Sequence, residues 1–273
     1  MVLEKVGIVA SKSAKYLRAC GKRSILETQA PVKVDPTKLG VYLSDNSIHF
    51  QSEDAAISYI KSRLLDSLKG KKQFERGIVK KGSVIFSETN GDARNTFARL
   101  PDSEYLKLRD GNFGSREFEF WHSHPDLYGV GKTAPLSGPE CGDIGAFYRL
   151  NLKKVVAMNS KGEINIIEAT KDISLEKYKE FCNNFEDFYM SRVLPKKQLK
   201  IYNKLKNEFK KNGNNVSGAL QYEIEHFNKF CEQYFSKIET QEKSAQIAHE
   251  YFKTAGEYGM KYKNTFSNLK NST

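Results

Sequence analysis

The chain has 273 residues, 39% of them hydrophobic and 28% charged, with 44 Lys and Arg against 33 Asp and Glu and a formal net charge of +11. That length suits one large or two modest domains, each able to bury a core without staples. The longest apolar runs, such as Val6–Ala10 and Val155–Met158, fall far short of the roughly 20 residues that cross a bilayer, and basic residues interleaved through the N-terminal region leave no room for a signal peptide, so the expectation is a cytoplasmic protein with no membrane span.

Cys20, Cys141, Cys182 and Cys231 form no CxxC pair, which argues against a disulfide framework or a zinc ribbon and for free thiols. The basic excess is uneven. Residues 1–40 hold 8 basic and 3 acidic side chains, residues 41–170 hold 18 and 17, and residues 171–273 hold 18 and 13. Any affinity for nucleic acid through counterion release therefore belongs to the two flanks, where a solvated Lys-rich surface is the plainer reading.

Residues 1–40 lack sustained periodicity and read as a basic N-terminal extension. Val41–Leu43 and Ile48–Phe50 predict short strands around an Asp45–Asn46 turn. Ser52 is placed to cap a helix whose first turn carries Glu53 and Asp54, with Ala56, Ile57, Ile60, Leu64, Leu65 and Leu68 on one face and Gly70 at its end. Short strands are predicted at Gly77–Val79, Ser83–Phe86 and Phe118–Trp121. The glycine- and proline-bearing stretch from Gly129 to Gly142 reads as a loop, Asp143–Phe147 as a helix start, and residues 154–167 as a hairpin turning at Asn159–Gly162. From about residue 172 the period becomes helical: Leu175 to Tyr189, Leu199 to Phe209, Leu220 to Ile238 and Ile247 to Tyr258 predict four helices, the first with an aromatic face read as bundle core. The fold class expected is α+β: a mixed sheet flanked by helices over residues 41–170, then an all-helical module over residues 171–273 that docks a partner, orients a substrate or self-associates.

Chemistry concentrates in Phe120-Trp121-His122-Ser123-His124-Pro125 and in Ser137-Gly138-Pro139-Glu140-Cys141-Gly142-Asp143. On a strand, residues two apart share a face, so His122 and His124 present two imidazoles together while Ser123 faces away. Two imidazoles and one acid from the start of the next helix would give a zinc ion three ligands and leave a fourth position for water, the mark of a catalytic site. Glu75, directly before a strand able to lie beside the His strand, is the candidate to take the proton of that water. Glu88, placed after its strand, is a poorer one. Trp121 reads as core or as a lid. Cys141 would reach a metal only along a different loop path, and His49, His226 and His249 stand alone.

The order Glu … His-Ser-His-Pro … Ser … Asp resembles the motif of the JAMM metallopeptidases, also called the JAB or MPN-plus domain, over roughly residues 41–170. The resemblance implies that His122, His124 and Asp143 bind Zn2+, that Glu75 is the general base, and that Ser137 hydrogen-bonds the oxyanion of the tetrahedral intermediate. It departs from the family in one respect. Five residues separate Ser137 from Asp143 where the family typically has two, and the two-residue spacing lands on Glu140, so the third ligand is Asp143 or Glu140; Asp143 is preferred because Asp-Ile-Gly-Ala-Phe resembles the helix start that follows the family's aspartate.

The function expected is a zinc-dependent metallopeptidase or isopeptidase acting on a protein or peptide, with a conjugate of a ubiquitin-like modifier as one form of substrate. Two alternatives stand beside it: a non-catalytic MPN-like scaffold with a degenerate site, and a basic nucleic-acid-associated protein that uses its flanks.

Overall fold

Residues 41–42, 47–92, 96–110, 114–125, 136, 142–212, 218–235 and 237–265 are described by the computed structural model. The expected basic extension over 1–40, the Asp45–Asn46 turn, Ser137, Glu140 and Cys141 lie outside them. The described residues form a mixed α/β structure and fall into a sheet unit, residues 41–181 and 252–265, and a helical unit, residues 182–251.

In the sheet unit, β1 (Val41–Tyr42) and β2 (Ile48–His49) lead to α1 (Glu53–Ser67), where the Ser52 hydroxyl accepts from the Ala55 N–H at 3.1 Å as the sequence predicts. The buried face of α1 (Ala56, Tyr59, Ile60, Leu64) packs on Ile48, Ile78, Ile85, Trp121, Val156 and Met158 of the sheet, each large apolar side chain contributing roughly 1.5–3 kcal/mol on burial. β3 (Arg76–Lys81) and β4 (Val84–Asn90) follow, then α2 (Asp102–Arg109), β5 (Glu119–Ser123), α3 (Asp143–Arg149), β6 (Lys154–Met158) and β7 (Ile164–Ala169). Between β6 and β7, Gly162 takes φ +76°, a left-handed conformation that glycine adopts without strain, and Asn159 Oδ1 accepts from the N–H groups of Lys161 and Glu163.

The strands assemble in the order β1-β2-β4-β3-β5-β6-β7-β8, where β8 is Met260–Asn264. Every pairing is antiparallel except β5 with β6, whose crossover contains α3. That crossover determines the site, because it starts just beyond the His strand and carries Asp143 at the first position of α3.

One expectation needs correction. The C-terminal part is not all helical: α4 (Leu175–Val193), α5 (Lys196–Asn212), α6 (Gly218–Phe235) and α7 (Ile238–Phe252) lead through a 3-10 turn (Lys253–Tyr258) to β8, which pairs with β7 from Ala169↔Met260 to Asn165↔Asn264. Gly259, at φ +82°, turns the chain out of the 3-10 segment, and β8 alternates Met260 and Tyr262, the better-buried positions, with exposed Lys261 and Lys263, the pattern of an edge strand with one solvated face. The helical unit is thus an insertion between the last two strands of the sheet order. Its own core is aromatic, with Phe185 against Tyr189 at 5.5 Å and Tyr251 at 5.3 Å between ring centroids, in keeping with the reading of the aromatic face as packing.

Candidate metal centre

Strand parity builds the site. β5 is buried along its whole length, with Phe120 and His122 on one face and Glu119, Trp121 and Ser123 on the other. On the α1 face, the Ser123 hydroxyl accepts from the Arg76 N–H at 2.9 Å and shares a 2.8 Å hydrogen bond with Ser67 Oγ, while the Trp121 indole donates to Glu119 at 2.9 Å. Ser123 and Trp121 are therefore structural. The backbone N–H of His124 donates to the Met158 carbonyl at 2.8 Å, carrying the β5–β6 pairing one residue past the strand and placing the second imidazole beside the first before Pro125.

The donor atoms are close together. His122 Nε2 lies 2.9 Å from His124 Nε2 and 3.0 Å from Asp143 Oδ1, and His124 Nε2 lies 4.0 Å from Asp143 Oδ2. A tetrahedral zinc ion with bonds near 2.0–2.1 Å separates its ligand atoms by about 3.3 Å; the His122–His124 and His122–Asp143 separations fall within a few tenths of an ångström of that, and one ligand atom from each residue lies within 4.8 Å of the others. Two imidazole nitrogens and a carboxylate oxygen are donors suited to a borderline divalent cation. His122, His124 and Asp143 form a group that could hold a metal ion.

Titration in this group follows from burial and charge. Burial alone would lower His122, but the Asp143 carboxylate, through charge and hydrogen bond, and Glu75 outweigh it and raise its pKa. Burial and the adjacent His122 charge lower His124 to about 4.

Glu75 belongs to the same face. The register Gly77↔His122 puts position 75 on the His side, and backbone hydrogen bonds with Asp92 and Gly91, each 2.7 Å, extend the β3–β4 ladder to fix it. The residue is partly exposed, but its carboxyl sits deep enough for burial, with the charges of Asp143 and Asp92, to push its pKa up to about 8 against the opposing pull of His122 and the Thr96 N–H. Glu88 is not brought to the site. It pairs with Ile78, whose side chain lies under α1, so it belongs to the opposite face, where Arg63 Nη2 donates to it at 2.7 Å and Arg76 Nε lies 3.2 Å away.

Two residues that shape the site went unmarked in the sequence. Phe120, two positions before His122 and on the same face by strand parity, stacks on its ring with centroids 4.9 Å apart and planes at 8°. Gly77 sits across from His122, where a Cβ would come within 2.8 Å of the Phe120 ring, Thr89 Oγ1 and Thr96 Oγ1. The period-two rule that found His124 would also have found Phe120.

Compared with known proteins, the chain matches no family model, no curated protein and no solved structure. The fold and the site therefore define a class only: a mixed α/β protein with a His-His-Asp group fit for a metal ion. No helix among the described residues is long and apolar enough to cross a membrane.

Proposed function

We propose that the chain is a zinc-dependent metallopeptidase or isopeptidase of the JAMM kind, hydrolysing a peptide or isopeptide bond. The observation that carries this reading is the convergence of residues from three separated segments, Glu75, the His122–His124 pair and Asp143, on one end of one face of the sheet. His122, His124 and Asp143 would hold the metal. When bound, zinc supplies a Lewis acid that polarises a carbonyl and acidifies a coordinated water.

The rest of the chemistry belongs to the chain's own groups. Glu75 takes a proton from the attacking water as the carbon–oxygen bond forms and delivers it to the nitrogen as the carbon–nitrogen bond breaks, leaving a carboxylate and an amine. By the resemblance, Ser137 donates a hydrogen bond to the developing oxyanion. A ubiquitin-like conjugate is one proposed form of substrate, beside an ordinary peptide.

The test is hydrolysis by zinc-loaded protein of a quenched-fluorescent peptide library and of a ubiquitin-conjugated peptide, with wild type and Glu75→Gln side by side. The expected result is turnover by the wild type and a loss of about 10²–10⁴-fold in Glu75→Gln with zinc retained. Undiminished turnover in Glu75→Gln removes its assigned role, and a zinc-loaded wild type inert on both substrates favours the non-catalytic scaffold.

A further inference from the structure

We propose that Phe120 is a positioning residue for the metal centre, that its ring fixes the plane of the His122 imidazole by stacking, and that residue 77 is glycine to admit that ring. The inference rests on metal binding by His122, His124 and Asp143.

A metal-bound histidine ordinarily has its ring set by a hydrogen bond at the nitrogen that does not bind the metal. In this chain His122 turns Nε2 toward His124 and Asp143, leaving Nδ1 for that role. Nδ1 is buried and makes no hydrogen bond of standard geometry, though the Val156 backbone acts on the ring as a hydrogen-bonding group. The plane of the ring is left to be fixed by a further contact. Cross-strand neighbours offer little, because the residues registered with His122 are Gly77 on β3 and Ala157 on β6.

Phe120 supplies the contact. Its ring, almost fully buried, lies parallel to the imidazole at 4.9 Å. It is confined in turn by the notch at Gly77, since a methyl group there would come within 2.8 Å of Phe120 Cε2 and of both threonine hydroxyls. No positive φ requires glycine at this position; the requirement is space. The wall of the notch is itself fastened: Thr89 Oγ1 donates to the Phe97 carbonyl at 2.8 Å and lies 3.1 Å from Thr96 Oγ1. Thr89, Gly77 and His122 occupy one row across β4, β3 and β5, so the sheet register aligns the notch with the ligand it supports.

The experiment measures zinc affinity, by competition with a chromophoric chelator, and the visible spectrum of the cobalt-loaded full chain, in wild type, Phe120→Leu and Ile167→Ala. Phe120→Leu keeps the apolar character without the flat ring and is expected to weaken zinc binding by roughly 10–100-fold and to alter the cobalt ligand-field bands. Ile167→Ala removes buried volume two strands away and is expected to lower stability while leaving both readouts at wild-type values. Wild-type affinity and spectrum in folded Phe120→Leu would overturn the inference and leave metal binding intact, whereas a wild type that binds neither ion would overturn metal binding itself. If Phe120→Leu does not fold, proton NMR of wild type decides: the His122 ring protons are expected upfield of ordinary imidazole positions under the stacked phenyl ring, and ordinary positions would overturn the proposal.

Discussion

Lys80 and Glu119 face each other across β3 and β5 with Nζ 3.3 Å from Oε2, and both side chains are shut off from solvent, at 0% and 2% exposure. The pair belongs to a row that continues through the register as Lys154, Glu168 and Lys261, alternating in charge across five strands. Opposite charges directly across a sheet favour one register, and a one-residue slip would bury uncompensated charge. Glu119 also accepts from Lys154 at 3.1 Å and from the Trp121 indole. Removing one partner of a buried pair costs about 3–5 kcal/mol. Because Lys80 keeps Glu53 at 2.7 Å, Glu119→Ala is expected at the lower end, about 3 kcal/mol, read from urea unfolding. A loss under about 1 kcal/mol would mean that the row is electrostatically idle.

The same carboxylate gives a pH dependence. Burial alone would raise it, but the Trp121 N–H and the charges of Lys80 and Lys154 outweigh burial and hold it below the ordinary carboxylate value. A folded pKa depressed below the unfolded value, about 4.3, contributes stability that is fully present above that pH and lost as pH falls through the folded value. Glu119→Gln is therefore expected to lose less stability than wild type between neutral pH and pH ~3. Parallel stability curves would contradict the assignment.

Cys231 lies buried in α6, where burial pushes its thiol up to about 12. The thiolate is the reactive form, so residue-resolved mass spectrometry is expected to find Cys231 unmodified by iodoacetamide in the native protein at pH ~8 and modified in urea. A folded value above the unfolded one, about 8.5, also means stability fully present below that pH and lost as pH rises toward the folded value. Rapid native labelling of Cys231 would place it at the surface.

Glu88 and Glu75 separate by face, and their variants should separate likewise. Glu88 holds Arg63 and Arg76 beneath α1, so Glu88→Gln is expected to lower stability by roughly 2 kcal/mol while leaving zinc content and any hydrolysis unchanged. Glu75→Gln is expected to abolish hydrolysis while leaving zinc content and stability near wild-type values. Loss of hydrolysis in Glu88→Gln with stability intact would reassign the base.

Much of this was legible in the sequence for a local reason. Ser52 with the Ala56, Ile60 and Leu64 spacing specifies α1, and period two puts His122 and His124 on one side of a strand. Glu75 was found because it directly precedes a strand, and strands that pair bring their ends together. What escaped depends on distant partners. The pairing of Lys80 with Glu119 emerges only when β3 and β5 are placed side by side. β8 escaped because Met-Lys-Tyr-Lys-Asn is a weak strand signal by itself and acquires its pairing only from β7, about 100 residues earlier in the chain. Gly77 looked like a strand glycine because the rings and hydroxyls that crowd it come from β5, β4 and the segment after it.

Zinc binding by His122, His124 and Asp143 is tested by zinc stoichiometry after equilibrium dialysis of the full chain, measured by elemental analysis in wild type, His122→Ala, His124→Ala and Asp143→Ala. A single tightly held zinc ion per wild-type chain is expected, with affinity lost in each variant while the fold is retained. Wild-type protein that leaves dialysis without zinc, or variants that keep it as firmly as wild type, would contradict it.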